Sequence, residues 1–119
     1  LEESLHGDKL KTARRLFTEK IIASLPDVII TSNDLIAQGI ISAAHENGIN
    51  IPNDMQITGF DDSLSSAYFI PSVTTVSQNI DELAKRCFSM LMDLINKKSS
   101  VSSIIEQNII ARNSAKINI

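Results

Sequence analysis

The chain has 119 residues, of which 43% are hydrophobic and 21% charged, and its formal net charge is −3. These values are typical of one globular domain, or part of one, with enough apolar side chains for a single core. The negative charge disfavours nucleic-acid binding by this segment, the single cysteine excludes an internal disulfide, and no apolar run reaches the roughly 20 residues that span a bilayer.

The first predicted element is a helix over residues 8 to 24. Its apolar side chains recur at helical spacing between charged ones: Leu10, Ala13, Phe17 and Ile21. Asp8 stands where an N-cap belongs, and Pro26 ends the segment because proline cannot continue the helical hydrogen bonds.

A βαβ unit follows. Residues 27–31 are rich in β-branched side chains and predict a buried parallel strand. The next helix has a wide apolar face and ends at Asn47-Gly48, a sequence typical of a left-handed C-cap. Residues 55–60 are the second predicted strand, and a strand, helix and strand in this order are nearly always right-handed.

The rest of the chain alternates loops with regular elements. We predict an irregular loop from Asp61 to Pro71 with an apolar tip, then a strand over residues 73–76. Asn79 and Glu82 have capping-box spacing and open a helix that runs to about residue 97, with Cys87 on its apolar stripe and therefore expected in the core. A final strand is predicted over residues 104–110.

Polar side chains follow each of the three strands. Ser32-Asn33-Asp34 follows the first, Asp61-Asp62 the second and Ser77-Gln78 the third. In open α/β sheets, ligands bind just beyond the carboxyl ends of parallel strands. The three runs therefore predict one polar rim, which suits a small hydroxylated ligand.

Three blocks of sequence, residues 26–39, 48–62 and 71–78, closely resemble the effector domain of LacI/GalR-type bacterial transcription regulators in content, order and spacing. The resemblance implies an α/β fold: a fragment of a doubly wound, parallel-sheet lobe like that of type I periplasmic binding proteins. Residues 1–77 would belong to the second lobe, 78–103 to a crossover helix towards the first, and 104–119 to the final strand and tail. The helix-turn-helix domain of the family is absent from this sequence.

The resemblance also implies roles for individual residues. Family members hold ligand hydroxyls with the aspartate and asparagine that correspond to Asp61 and Asn33, and Gln78 and Ile80 border the same cleft. An aromatic residue that often stacks on the ligand is replaced here by His6. In the family, the loop after the second strand and one face of the preceding helix form the dimer contact, which implies three interface residues: Gln38, Ile41 and Phe69.

Simpler roles compete with these. Asn33 and Asp34 are both good helix caps, and we expect the cap to be Asp34 and the ligand contact Asn33. Asp61 and Asp62 are also common turn residues; we expect Asp61 to contact the ligand and Asp62 to be a turn or solvent-facing residue. His45 lacks metal-ligand spacing to His6, so we expect it to be exposed.

The preferred hypothesis is the ligand-sensing part of a cytoplasmic transcription regulator, binding a sugar-like effector between two lobes. It would act as a homodimer and contact operator DNA through a domain not in this chain. The alternative is a periplasmic-type solute-binding protein, which requires a secretion signal in the complete gene. An enzyme is disfavoured because no nucleophile, metal set or glycine-rich phosphate loop stands out, so we expect no cofactor, no metal site and no membrane contact.

Overall fold

The computed structural model of the chain describes residues 8–99 and 101–116, so His6 lies outside the described residues. Three-residue strands alternate with helices along the chain. The elements in order are α1 (Lys9–Leu16), a π-helical turn (Phe17–Ile21), β1 (Val28–Ile30), α2 (Asp34–Glu46), β2 (Gln56–Thr58), α3 (Leu64–Tyr68), β3 (Thr75–Ser77), α4 (Ile80–Ile95) and β4 (Asn108–Ile110).

The N-cap of α1 is Asp8, whose carboxylate accepts a hydrogen bond from the Lys11 amide at 3.3 Å, as the sequence predicts. It packs tightly on α2, because a methyl group at Gly39 would approach the Leu10 carbonyl oxygen to 2.7 Å. The Arg14 guanidinium extends across the pair and contacts the Glu46 carboxylate at 2.7 Å. α1 and α2 therefore form one layer above the sheet.

The strands lie in the order β1-β2-β3-β4. Their hydrogen bonds are continuous within the pair β1-β2 and within the pair β3-β4, but not between β2 and β3. β1 and β2 are parallel, with Ile29 opposite Ile57, and β3 and β4 are antiparallel. Between the pairs, Thr58 and Thr74 form a single parallel bridge, and the Gly59 amide donates to the Thr74 carbonyl at 2.8 Å. The predicted βαβ unit and its parallel sheet are confirmed.

Ser114 fills the space between β2 and β3. Its hydroxyl donates to the Ile57 carbonyl at 2.6 Å and accepts from the Thr74 amide at 2.8 Å. Its own carbonyl accepts from the Ile57 amide at 2.9 Å. A fully buried serine thus supplies the hydrogen bonds that a continuous strand pair would make.

The core lies between the two helices and one face of the sheet. It is formed by small and branched apolar side chains around one aromatic: Ala13, Phe17, Ala37, Ile40, Ile41, Ala43, Ala44, Ile51, Met55, Ile57 and Val73. Most of these come from the predicted apolar faces of α1 and α2 and from the predicted strands.

Three expectations about burial and capping are wrong. β1 is an edge strand rather than a buried one, and Ile30 is 81% exposed. Cys87 is exposed, because α4 has no buried residue and its apolar stripe meets nothing else in the described part of the chain that would cover it. The predicted capping box does not form: Asn79 has a φ of 51° and no side-chain cap bond, and Glu82 pairs with Arg86 at 2.7 Å instead.

Candidate functional site

Asp61 and Gln78, predicted to lie on one rim, are in direct contact. The Gln78 Nε2 donates to the Asp61 Oδ1 at 2.6 Å, although the two residues lie 17 positions apart. The Asp61 amide donates to the Val76 carbonyl at 3.0 Å, so the backbone after β2 lies beside β3 at Asp61. Gln78 follows β3 immediately, and both side chains therefore lie at the carboxyl ends of neighbouring strands.

Asn33 lies at the same end of the sheet, at the N-terminus of α2. Its Oδ1 accepts from the Ile36 amide at 3.0 Å, so the N-cap is Asn33 and not Asp34. The next amide, that of Asp34, donates to the Phe60 carbonyl at 2.9 Å, which brings the start of α2 next to Asp61. The NH2 group of Asn33 remains as a hydrogen-bond donor beside this cap bond.

Ile80 is the first residue of α4 and follows two positions after Gln78. It is an exposed apolar side chain next to the polar rim, which we define as Asn33, Asp61 and Gln78. An apolar flank beside hydrogen-bonding groups is the usual composition of a small-molecule site.

Asp34 has a different role from the predicted helix cap. It is 1% exposed, and its two carboxylate oxygens accept from the Thr75 hydroxyl at 2.6 Å and the Ser63 amide at 2.7 Å. It also lies against Gly59, where a methyl group would overlap the carboxylate. Asp34 therefore connects the start of α2, the loop after β2 and the start of β3 directly beneath the rim.

Asp62, expected to be a turn or solvent-facing residue, places its carboxylate in an ion pair. The Arg112 Nη2 contacts Asp62 Oδ1 at 2.6 Å, and the two side chains are 18% and 26% exposed. Asp61 and Asp62 have φ values of 101° and 50°, a region that non-glycine residues adopt at roughly 1–3 kcal/mol each. The segment that carries Asp61 is thus held in a strained conformation by its surroundings.

The three predicted interface residues are buried or half-buried rather than exposed. Gln38 is 4% exposed and donates to the hydroxyls of Ser65 at 2.8 Å and Ser66 at 3.2 Å. Ile41 is 1% exposed, and Phe69 is half-buried against the core. Exposed apolar side chains lie instead at Leu64, Tyr68 and Ile70, the last two on either side of Phe69.

A groove of about 410 Å³ lies at the C-terminal end of α2, away from the polar rim. Its lining is mainly apolar, with two polar side chains: Ile41, His45, Gly48, Ile49, Asn50, Ile51, Ile70 and Pro71. The lining residue nearest to Asn33 along α2 is Ile41, which is eight positions away, or roughly 12 Å at 1.5 Å per residue. The groove is therefore separate from the rim, and His45 at its edge is exposed as predicted.

Residues 8–99 and 101–116 contain no group of three or more His, Cys, Asp or Glu side chains placed to hold a metal ion. Within the same residues, no helix combines the length and apolar content needed to cross a bilayer.

Comparison with known proteins identifies the family of this arrangement. A family model described as a periplasmic binding protein-like domain matches residues 2–115. The chain belongs to this periplasmic binding protein-like domain family. Among curated relatives of this domain, the HTH-type transcriptional repressor PurR of Pasteurella multocida is 36% identical over 101 residues, which are 82% of the chain and 30% of that protein. The PurR of Erwinia tasmaniensis is 37% identical over 81 residues, covering 68% and 24%.

Solved structures agree. The periplasmic binding ribose operon repressor protein of Lactobacillus acidophilus matches the domain with a TM-score of 0.83 and 31% identity, covering 98% of the chain and 43% of that protein's chain. A LacI-type transcription regulator of Bifidobacterium animalis subsp. lactis matches with a TM-score of 0.76 and 26% identity, covering 92% and 39%. The resemblance to part of the effector domain of LacI/GalR-type regulators is confirmed, and the chain spans less than a third of the length of the two PurR relatives.

Proposed function

We propose that this domain is the ligand-sensing part of a LacI-type transcription regulator and binds a small, neutral, sugar-like effector at the polar rim. The observation that carries the proposal is the Asp61 carboxylate, oriented by Gln78 at the end of the sheet. No lysine, arginine or histidine in the described part of the chain forms an ion pair with it. An ionised acceptor without a counter-charge favours hydroxyl donors and repels anions.

The other rim groups complement this acceptor. The Asn33 NH2 group is a donor, and Gln78 keeps its side-chain oxygen as an acceptor, so vicinal hydroxyls would meet both kinds of partner. The similarity to a ribose operon repressor supports a sugar over other hydroxylated ligands. The rim is open rather than enclosed, which fits a cleft that a second lobe completes, with residues 1–77 in one lobe, 78–103 crossing over and 104–119 returning.

In the whole protein, we propose that effector binding shifts the equilibrium between two arrangements of a homodimer and thereby changes operator affinity, in the cytoplasm. The similarity to HTH-type repressors supports a DNA-binding domain elsewhere in the protein. The exposed side chains of Tyr68 and Ile70, on either side of Phe69, support a dimer contact through the loop after β2, with Gln38 and Ile41 of α2 buried behind it. The effector changes operator binding only to the extent that it binds the two arrangements with different affinity.

Replacing Asp61 by glycine tests the role of the rim. Glycine adopts a φ of 101° freely, so Asp61→Gly removes the carboxylate without adding backbone strain. A hydrogen bond to a charged group contributes roughly 1.5–3 kcal/mol, and we therefore expect about a 10- to 150-fold loss of affinity. Isothermal titration calorimetry of the full-length gene product against a panel of neutral pentoses and hexoses, starting with D-ribose, measures this.

The matched control is Asp27→Ala, which removes an exposed carboxylate at the opposite end of the same sheet and should leave affinity unchanged. Wild-type affinity in Asp61→Gly would rule out the rim as the effector site. Binding of every sugar only in the millimolar range, unchanged by either variant, would rule out the sugar class.

A further inference from the structure

The turn that carries Asp61 is fixed by a residue far along the chain. Arg112 lies 50 positions after Asp62 and reaches its carboxylate at 2.6 Å. The same guanidinium donates through Nη1 to the Val73 carbonyl at 3.0 Å, and the Arg112 amide donates to the Thr74 hydroxyl at 2.9 Å. Arg112 thus binds both the ligand-bearing turn and the strand beside it.

This arrangement matters because the backbone at Asp61 and Asp62 has positive φ at two consecutive non-glycine residues. Such a conformation persists only when the surrounding structure determines it. The Asp61 amide bond to Val76 at 3.0 Å and a long bond from the Asp62 amide to the Thr75 hydroxyl at 3.3 Å also support it. Asp34 holds the two flanking residues, through the Phe60 carbonyl at 2.9 Å and the Ser63 amide at 2.7 Å. The ion pair is the strongest contact that the Asp62 side chain makes, and both members are largely shielded from water.

We propose that Arg112 is a positioning residue of the effector site: by holding Asp62 it fixes the turn that directs the Asp61 carboxylate at the ligand, without touching the ligand itself. This inference rests on the proposed function, in which Asp61 is the ligand contact. It assigns to the segment after β4 a direct part in ligand affinity, and it predicts that a side chain outside the polar rim determines how well the rim binds.

The test replaces Arg112 by methionine in the full-length protein, which keeps the apolar stem and removes the charge. The first measurement is amide hydrogen exchange by NMR, which needs no ligand. We expect the Asp61 amide to exchange at least about tenfold faster, whereas the Ile36 amide, bonded to Asn33 at 3.0 Å in α2, keeps its rate. Equal acceleration at both amides, or none at Asp61, would overturn the proposal, because the arginine would then act on global stability or not at all.

The second measurement is calorimetry with D-ribose. We expect Arg112→Met to weaken binding about 5- to 30-fold, and the double variant Arg112→Met/Asp62→Gly to bind more tightly than Arg112→Met, since glycine adopts the turn without strain and leaves no unpaired carboxylate. The matched control is Arg86→Met, which breaks an exposed ion pair of 2.7 Å with Glu82 on α4 and should change neither measurement.

The two proposals fail in different ways. If D-ribose binds and Asp61→Gly weakens binding as expected while Arg112→Met binds normally, the positioning role is wrong and the proposed site stands. If Asp61→Gly binds D-ribose as the wild type does, or the wild type does not bind it, the proposed site or its sugar class is wrong, and the exchange rate at Asp61 then decides whether Arg112 holds the turn.

Discussion

Gly59→Ala is expected to destabilise the protein by about 3 kcal/mol, towards the upper end of what overpacking a core usually causes. The added methyl group would overlap the Asp34 carboxylate and lie 3.2 Å from the Asp34 Cα. Neither can move easily, because the carboxylate is bound to Thr75 and Ser63. Urea denaturation of the full-length protein, followed by circular dichroism, gives the change in the free energy of unfolding.

Gly48→Ala is the matched control. Gly48 has a φ of +74° but open space around its Cα, so only backbone strain opposes the substitution, at about 1 kcal/mol. Comparing the two variants separates the effect of a steric overlap, at Gly59, from the effect of a positive φ, at Gly48. If Gly59→Ala destabilises no more than Gly48→Ala, the close approach of Asp34 is not what requires a glycine after β2.

Asp34→Ala should destabilise by about 3 kcal/mol and disorder the loop that carries Asp61. The substitution leaves the Thr75 hydroxyl and the Ser63 amide without their acceptor in a site that is 1% exposed, at roughly 1–3 kcal/mol for each buried group. It also removes a negative charge from the first turn of α2, where the helix dipole favours it. The measurement is again the free energy of unfolding, with calorimetry reporting the accompanying loss of effector affinity.

Asp34→Asn tests the assigned geometry more finely. The amide oxygen can still accept from the Ser63 amide while the NH2 group donates to Thr75, so we expect a loss of only about 1 kcal/mol. Asp27→Ala, at an exposed carboxylate, should change stability by less than about 0.5 kcal/mol. An Asp34→Ala variant as stable as Asp27→Ala would mean that the buried carboxylate does not connect the strand ends.

The local parts of this fold follow from the sequence. The Asp8 cap and the Asn47-Gly48 terminus of α2 depend on neighbours within a few positions, and both form as expected. The apolar period predicts one helix over residues 8 to 24, of which Lys9–Leu16 is α-helical and Phe17–Ile21 is a π-helical turn. The contact between Asp61 and Gln78 follows from a topological rule, because consecutive parallel strands bring their carboxyl ends together.

Other features depend on partners that sequence spacing does not reveal. Asp34 follows Asn33 and has the same capping propensity, and only the positions of Ser63 and Thr75 determine which of the two is buried. The pairs of Arg112 with Asp62 and of Ser114 with Ile57 span 50 and 57 positions and leave no local pattern. The amphipathic period of α4 defines an apolar face, but it does not tell whether another part of the described chain covers that face. Cys87 remains exposed.

The hydrogen bonds of Ser114 have a consequence for how the protein is made. β2 and β3 are joined across their centre by a serine that follows Ile57 by 57 positions. As the ribosome synthesises the chain from its N-terminus, the middle of the sheet stays incomplete until Ser114 has left the exit tunnel. The hydrogen bonds of Ser114 to Ile57 and Thr74 can therefore form only after nearly all of the described chain has emerged.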